Sequence, residues 1–349
     1  MIAKADISRV RSGTHANYEA RFDEVSLGVV GDEAIVYGYL PLSDNAARQA
    51  IDSSTVFLEF CRTKAEASKY AGGMYWKTQG PYEYLVKTSR GNRQQRIGPR
   101  SPETEQDYEA FISGRAEIKA RLADLQAAVT EAERVNRALR VGRVPVIVVD
   151  VLRAIEGAGL SSYFTVIGTH ALYAYEAAAG VRVAQGESAT QDVDMLWDAQ
   201  RHICFLTDDE RSDVSMLSIL QRADKSFRRK GDDLKTAIDD KGFEVVFLPQ
   251  PSQDAAPYPV RPFEREEDQW LVQSPLARIL ASAPRFEQVV VATTGKMARM
   301  STIDPAVFVN YKTWMAKEAE NRHPRMRRRD QLQADIVWTL MEQGLLLSR

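Results

Sequence analysis

Cysteine is scarce in this chain: two in 349 residues, Cys61 and Cys204, far apart and in unlike contexts. No disulfide framework is implied, and neither they nor the four histidines cluster at metal-ligand spacing, which sets zinc aside and points to a reducing compartment. An excess of charge of one sign is also missing. A net charge of -2 gives no global pull toward a polyanion, so any such attraction must come from local patches. Long apolar runs are missing too. The longest uncharged stretch, Gly157 to Tyr175, is interrupted by Ser, Thr, Gly and His, and reads as turn, strand, turn and helix start rather than a membrane span. The opening "MIAKADISRVRS" has no apolar signal-peptide core, so a cytoplasmic protein without a membrane partner is expected. No internal repeat is visible. Hydrophobic residues make up 44% and charged residues 27%, with 14 prolines and 20 glycines, which excludes bulk disorder; the length suits two or three domains with a buried core.

The order of patterns gives the organisation. "EAIVYGYL", ending at Leu40, reads as short strand or turn, and a helix is expected from Ser43 through "SDNAARQAIDSSTVFLEFCRTKAEASKYA". In "GGMYWKTQGPYEYLVKTS" two aromatic-rich runs are joined by "TQGP", which predicts a β-hairpin with a four-residue connection. From Ser101 to Arg140, Ser and Pro at the start and Glu just inside predict one long helix, or two parted near Ser113 and Gly114. "VIVVDVLRAIEGAG" keeps helical spacing at Val149, Leu152 and Ile155. Then "YFTVIG" predicts a strand, "THALYAYEAAA" a helix closed by Gly180, and "DVDMLWD", "ICFL" and "GFEVVFLP" further strands. Residues 250–270 read as a linker or surface excursion, "FEQVVVATT" as a last strand, and the tail from Pro305 as helix broken by "RHPRMRRRD". The expected fold class is α+β: an accessory module with hairpin and long helix over 1–142, a mixed-sheet core over 143–255, and a mainly helical region over 256–349.

Asp192 and Asp194 carry the strongest chemical signal. On a strand, residues two apart point to one face, about 7 Å apart along the backbone. Two carboxylates that close repel unless a cation lies between them, and all-oxygen ligation suits Mg²⁺ or Mn²⁺. The bland alternative is a solvated turn before an edge strand. Upstream, "VIGTHALYAY" ends a strand at Gly168 and Thr169 and starts a helix, leaving backbone N–H groups for a triphosphate to meet. Gly168 allows close backbone approach, and the Thr169 hydroxyl can donate to an oxygen.

Strand, Gly-Thr, helix, then D-x-D on a following strand and a further acid on a later one resembles the nucleotidyltransferase superfamily to which DNA polymerase beta belongs. More narrowly, "YFTVIGTHALYAYEAAAG", "TQDVDML" and "GFEVVFLP", with Pro305, Lys312 and "RRRD" in the tail, are similar to a bacterial family of nucleotidyltransferase-like proteins. The resemblance implies transfer of a nucleotidyl group from an NTP, such as ATP, with release of pyrophosphate. It implies Asp192 and Asp194 as ligands of two Mg²⁺ or Mn²⁺ ions, Gly168 and Thr169 as the phosphate cradle, and Lys312 as a charge facing the nucleotide. The stretch between Gly168 and Asp192 is longer than the resemblance leads one to expect. The usual third acid would fall on Val246, where this chain instead offers Glu244 on the same strand face, as catalytic group and metal ligand. A degenerate, binding-only site is the alternative.

Basic patches complete the inventory. "KTSRGNRQQRIGPR", Lys87 to Arg100, has no acid and follows the hairpin's Tyr75, Trp76, Tyr82 and Tyr84. Rings beside cations suit nucleic acid, so Arg90, Arg93 and Arg96 are candidate contacts to an RNA or tRNA acceptor; a solvated loop is the plain alternative, and a protein hydroxyl the other acceptor. Lys225, Arg228, Arg229 and Lys230 are expected on a helix, with Lys225 and Arg229 as candidate triphosphate contacts. Asp330 is expected to cap the helix after the arginine run from Arg322 to Arg329, and His170 reads as a structural hydrogen-bonding residue. A sugar-transferring D-x-D enzyme would need a nucleotide-binding half upstream, which is not seen before residue 142. A haloacid-dehalogenase-like phosphatase would need an apolar lead-in where "SATQ" stands, and Thr or Val where Leu196 stands.

Overall fold

The computed structural model describes residues 38–89, 93–183, 192–197, 215–231, 233–249, 280, 282–318 and 323–348; at 192, 194, 196, 197, 233–235, 248 and 249 it describes the backbone alone. "ICFL", the 250–270 linker and Arg90 lie outside the described residues. From Tyr39 onward the chain forms one compact unit.

Strands β5 (Phe164–Ile167), β7 (Asp192–Trp197), β8 (Arg228–Lys230), β9 (Asp233–Ile238), β10 (Glu244–Pro249), β11 (Arg285–Val291) and β12 (Met297–Ile303) form a seven-stranded sheet ordered β11-β12-β5-β7-β10-β9-β8. It is mixed: β12 runs parallel to β5 and β7 parallel to β10, while the other neighbours are antiparallel. Helices lie on both faces, so the class is α+β as expected. Two smaller sheets flank it: β1 (Tyr39–Pro41) with β6 (Val181–Val183), and β2 (Gly73–Gln79), β3 (Tyr82–Thr88) and β4 (Gln94–Pro99) in that order.

The side-chain alternation of the central strands decides the layers. Val193, Met195, Val245 and Phe247 are buried on one face against α3 (Val146–Gly157) and α5 (Met216–Ala223), with Val148, Val149, Leu152, Ile219 and Leu220. Each side chain fully buried in this way contributes about 1.5–3 kcal/mol. On the other face Ile167 and Ile303 meet α4 (Leu172–Ala179), α6 (Pro305–Lys317) and α7 (Pro324–Glu342) through Leu172, Tyr175, Phe308 and Val337. Farther along, α1 (Asp44–Ala67) and α2 (Pro102–Ala138) pack on β11 and β12 through Ala46, Phe57, Val129, Val289, Val291 and Met297.

Several expectations change. The segment from Ser101 is a single helix with no break at Ser113 or Gly114, started by a capping box in which Ser101 and Thr104 satisfy each other's backbone N–H. The hairpin connection is the two-residue Gly80-Pro81, because Gly80 takes φ +60 and lets Thr78 and Gln79 stay paired in β2. Within the basic run, Gln94–Pro99 is strand β4 rather than loop. Arg228 to Lys230 form a strand and not a helix, because α5 stops at Asp224, whose carboxylate accepts from the Ser226 N–H and hydroxyl and turns the chain. Asp330 does not cap a helix. His323 and Pro324 start α7 earlier, so Asp330 lies inside it with the arginine run on its first turns.

Candidate active site

The site begins where β5 ends. Ile167 is extended, and Gly168 turns the chain with φ +69, a left-handed conformation that favours glycine, into the short 3₁₀ turn Gly168–Ala171 ahead of α4. Thr169 follows at once. Its Oγ1 accepts hydrogen bonds from Arg329 Nη2 at 3.0 Å and Gln333 Nε2 at 3.2 Å. Those two residues are four apart on α7 and therefore share a face, so the C-terminal helix forms one wall of the site.

The next strands bring the acids alongside. β7 is antiparallel to β5 with Asp194 opposite Ile167, and parallel to β10 with Asp192 opposite Glu244 and Asp194 opposite Val246. Directly opposed residues share a face, so positions 192, 194, 244 and 246 stand together on the side away from the α3–α5 core. The side chains of Asp192 and Asp194 lie outside the described residues, so the backbone register alone locates them. Among the described residues no group of three or more His, Cys, Asp or Glu side chains could hold a metal ion. Glu244 Oε1 accepts from Lys230 Nζ at 2.5 Å, which brings a cation from the sheet edge to this face.

Lys312 is buried: its Nζ contacts Asp330 Oδ1 at 2.8 Å, with both side chains at or below 5% exposure, and it joins α6 to α7. His170 is buried against the rings of Tyr173 and Phe243. Arg229 sits opposite Ala237 and hence on the face of the α3–α5 core, and Lys225 is exposed in the turn after α5; neither is brought beside Glu244 by the register. Arg93 and Arg96 belong to the β2–β3–β4 region, not to the central sheet. The register thus sets Asp192, Asp194 and Glu244 on one face beside the end of β5 that leads into Gly168 and Thr169; Lys230 joins through Glu244, and Arg329 and Gln333 join through Thr169. Arg329 was visible as part of an arginine run, whereas Gln333 carried no signal: nothing in a lone glutamine says that α7 packs on the Thr169 turn.

Residues 147–348 match the model of a family described as Nucleotidyltransferase. This match covers more than half of the chain, and the chain belongs to that nucleotidyltransferase family. Nucleotide transfer is the activity class of the family, and an NTP its substrate. No curated protein and no solved structure matches the chain. Among the described residues no helix is long and apolar enough to cross a membrane.

Proposed function

We propose that this protein transfers a nucleotidyl group from an NTP, ATP among them, to an acceptor hydroxyl and releases pyrophosphate, using Asp192, Asp194 and Glu244 in the manner of the polymerase-beta superfamily. The observation that carries this reading is the register that sets Glu244 opposite Asp192 on the strand next to the Gly168-Thr169 turn, within the matched family region. In the reaction the acceptor oxygen bonds to the α-phosphorus, the bond from that phosphorus to the bridging oxygen breaks, and pyrophosphate leaves with the electron pair. The hydroxyl proton passes to a carboxylate of the set.

The residues supply binding and orientation. Gly168 has no side chain to hold a phosphate off the backbone. Thr169 Oγ1 already accepts from Arg329 and Gln333, so its own hydrogen is turned outward to a phosphate oxygen, and the Arg329 guanidinium adds positive charge beside it. Lys230 holds the Glu244 carboxylate in place. The donor set, carboxylates only, fits hard divalent cations; Mg²⁺ or Mn²⁺ held by Asp192, Asp194 and Glu244 would offset charge on the triphosphate and lower the pKa of the acceptor hydroxyl. The acceptor read from the sequence is RNA, a tRNA-like end foremost, with a protein hydroxyl behind it.

A second reading, nucleotide binding without turnover, is favoured by two features: Val246 occupies the position opposite Asp194, and Glu244 is taken up by Lys230. Calorimetry with an NTP, with and without Mg²⁺, tests the common ground of both readings. The expected result is metal-dependent binding that disappears in the Asp192→Asn, Asp194→Asn double variant; unchanged affinity and metal dependence in that variant would reject the site.

A further inference from the structure

The three-stranded sheet divides its aromatic residues between two faces. Trp76 packs on Tyr108 of α2 with ring centroids 5.9 Å apart, and Leu85, which faces Trp76 across the strands, is buried on the same side. By alternation Tyr75, Lys77, Tyr82 and Tyr84 stand on the opposite, outer face, joined by Arg96 opposite Val86. Tyr82 is 61% exposed and Tyr75 37%. Tyr82 and Tyr84 lie 6.4 Å apart, and the Arg96 guanidinium carbon sits 3.1 Å from the centre of the Tyr84 ring. Lys77 Nζ reaches Gln94 Oε1 at 3.3 Å, which ties the face to the end of β4.

At that end lies a cleft of about 520 Å³ lined by Lys69, Lys87 and Arg93 together with Ser68, Ser89 and Gln94. Gln94 and Thr88 belong to both the outer face and the cleft. Among the described residues, neither the cleft lining nor the outer face includes a carboxylate; Glu83, the one acid of β3, alternates to the α2 side and is paired with Arg100. Exposed rings with cations alongside, continuous with a cationic cleft and free of acids, match a ligand that has flat apolar faces and an evenly spaced negative backbone. Rings standing on a sheet reach bases only when those bases are unpaired.

We propose that the outer face of β2–β3–β4 and the adjoining cleft bind single-stranded nucleic acid. Bases stack on Tyr75 and Tyr82, and phosphates run past Lys77 and Arg96 toward Lys69 and Arg93; Lys87 alternates to the α2 side, with its Nζ 5.7 Å from the Phe111 ring, and adds charge to the cleft from there. Binding does not rest on the nucleotidyl-transfer reading; where both hold, the bound strand is the acceptor.

The test is fluorescence anisotropy on the full chain with a labelled uridine oligonucleotide of about 20 nucleotides, the same length of RNA duplex, and polyglutamate, over about 50 to 300 mM salt. The single strand binds and weakens as salt rises. Tyr82→Ala raises its Kd at least about fivefold, and Lys77→Gln lowers the salt slope by about one; both side chains are exposed, and circular dichroism confirms that the variants fold. Absence of binding at the lowest salt, equal affinity for duplex or polyglutamate, or a wild-type Kd in Tyr82→Ala overturns the proposal. The Asp192→Asn, Asp194→Asn variant separates the two readings: it is expected to lose transfer and keep its affinity for the strand, and undiminished transfer in that variant with strand binding intact rejects only the catalytic reading. Transfer to a small hydroxyl with no strand binding rejects only this one.

Discussion

Glu244 and Val246 pose the sharpest question at the scale of single residues. Register sets Glu244 opposite Asp192 and Val246 opposite Asp194. If Glu244 serves as the third carboxylate, Glu244→Gln lowers the chemical rate by about two powers of ten or more while NTP affinity stays near wild type, because the group acts mainly in the transition state. Single-turnover kinetics beside calorimetry measures the two separately. The binding-only reading expects the reverse: no effect of Glu244→Gln and new or greatly raised activity in Val246→Asp. Cys61 provides a residue-scale check on the helical layer. Its burial, with repulsion from Glu156 added, pushes the thiol up to about 11 from 9.0. The thiolate is the nucleophile, so at about pH 8 the native chain holds about 100-fold less of it than an unburied thiol would. Iodoacetamide labelling followed by peptide mapping is expected to show slow modification of Cys61 that speeds up as pH rises through 11 and on unfolding; rapid labelling at pH 8 would contradict the packing of α1.

Among the elements, α7 links packing to chemistry. One stretch of it supplies Arg329 and Gln333 to Thr169 and Asp330 to the buried Lys312 of α6. Removing one partner of a buried ion pair leaves the other charge unpaired and costs about 3–5 kcal/mol. Lys312→Met is therefore expected to lower stability by about that much, and the paired replacement Lys312→Met, Asp330→Leu to recover most of it. Chemical denaturation of the three variants gives the comparison. Recovery of stability by the pair, with NTP affinity at wild-type level, assigns Lys312 to the helix interface. Persistent loss of NTP affinity in the restored pair assigns it to the nucleotide.

On the scale of the whole molecule, the N-terminal helices and the central sheet meet at a point that tolerates no added atom. Gly295, in the β11–β12 turn, takes φ +87, and a Cβ there would lie 1.9 Å from the Glu133 carbonyl oxygen of α2. Asn136 Nδ2 donates to the Gly295 carbonyl across the same contact, at 3.3 Å. Gly295→Ala is expected to cost at least about 3 kcal/mol, since steric clash adds to left-handed strain. Gly231→Ala, with φ +53 and open space around it, is expected to cost about 1–2 kcal/mol. Urea denaturation of both variants decides; equal losses would mean that α2 does not press on this turn.

Local signals in the sequence determined most elements of the chain. Ser101 and Pro102 started a helix, Gly180 closed one, and short apolar runs marked β5, β7 and β10, because such signals act within a few residues of one another. They also placed the Gly168-Thr169 turn and the two aspartates at strand ends. Only the tertiary structure decided what stands opposite what. The parallel pairing of β7 with β10 set Glu244 against Asp192, the docking of α7 brought Arg329 and Gln333 to Thr169, and the burial of Lys312 against Asp330 took a tail lysine into a helix interface. Alternation about the β2–β3 register sent Trp76 inward to Tyr108 and left Tyr75 and Tyr82 outside, a division that the run of aromatics does not reveal until the strands are paired. Strand register and helix docking are fixed by the sum of many weak contacts between residues distant in sequence, and no short stretch of sequence carries that sum.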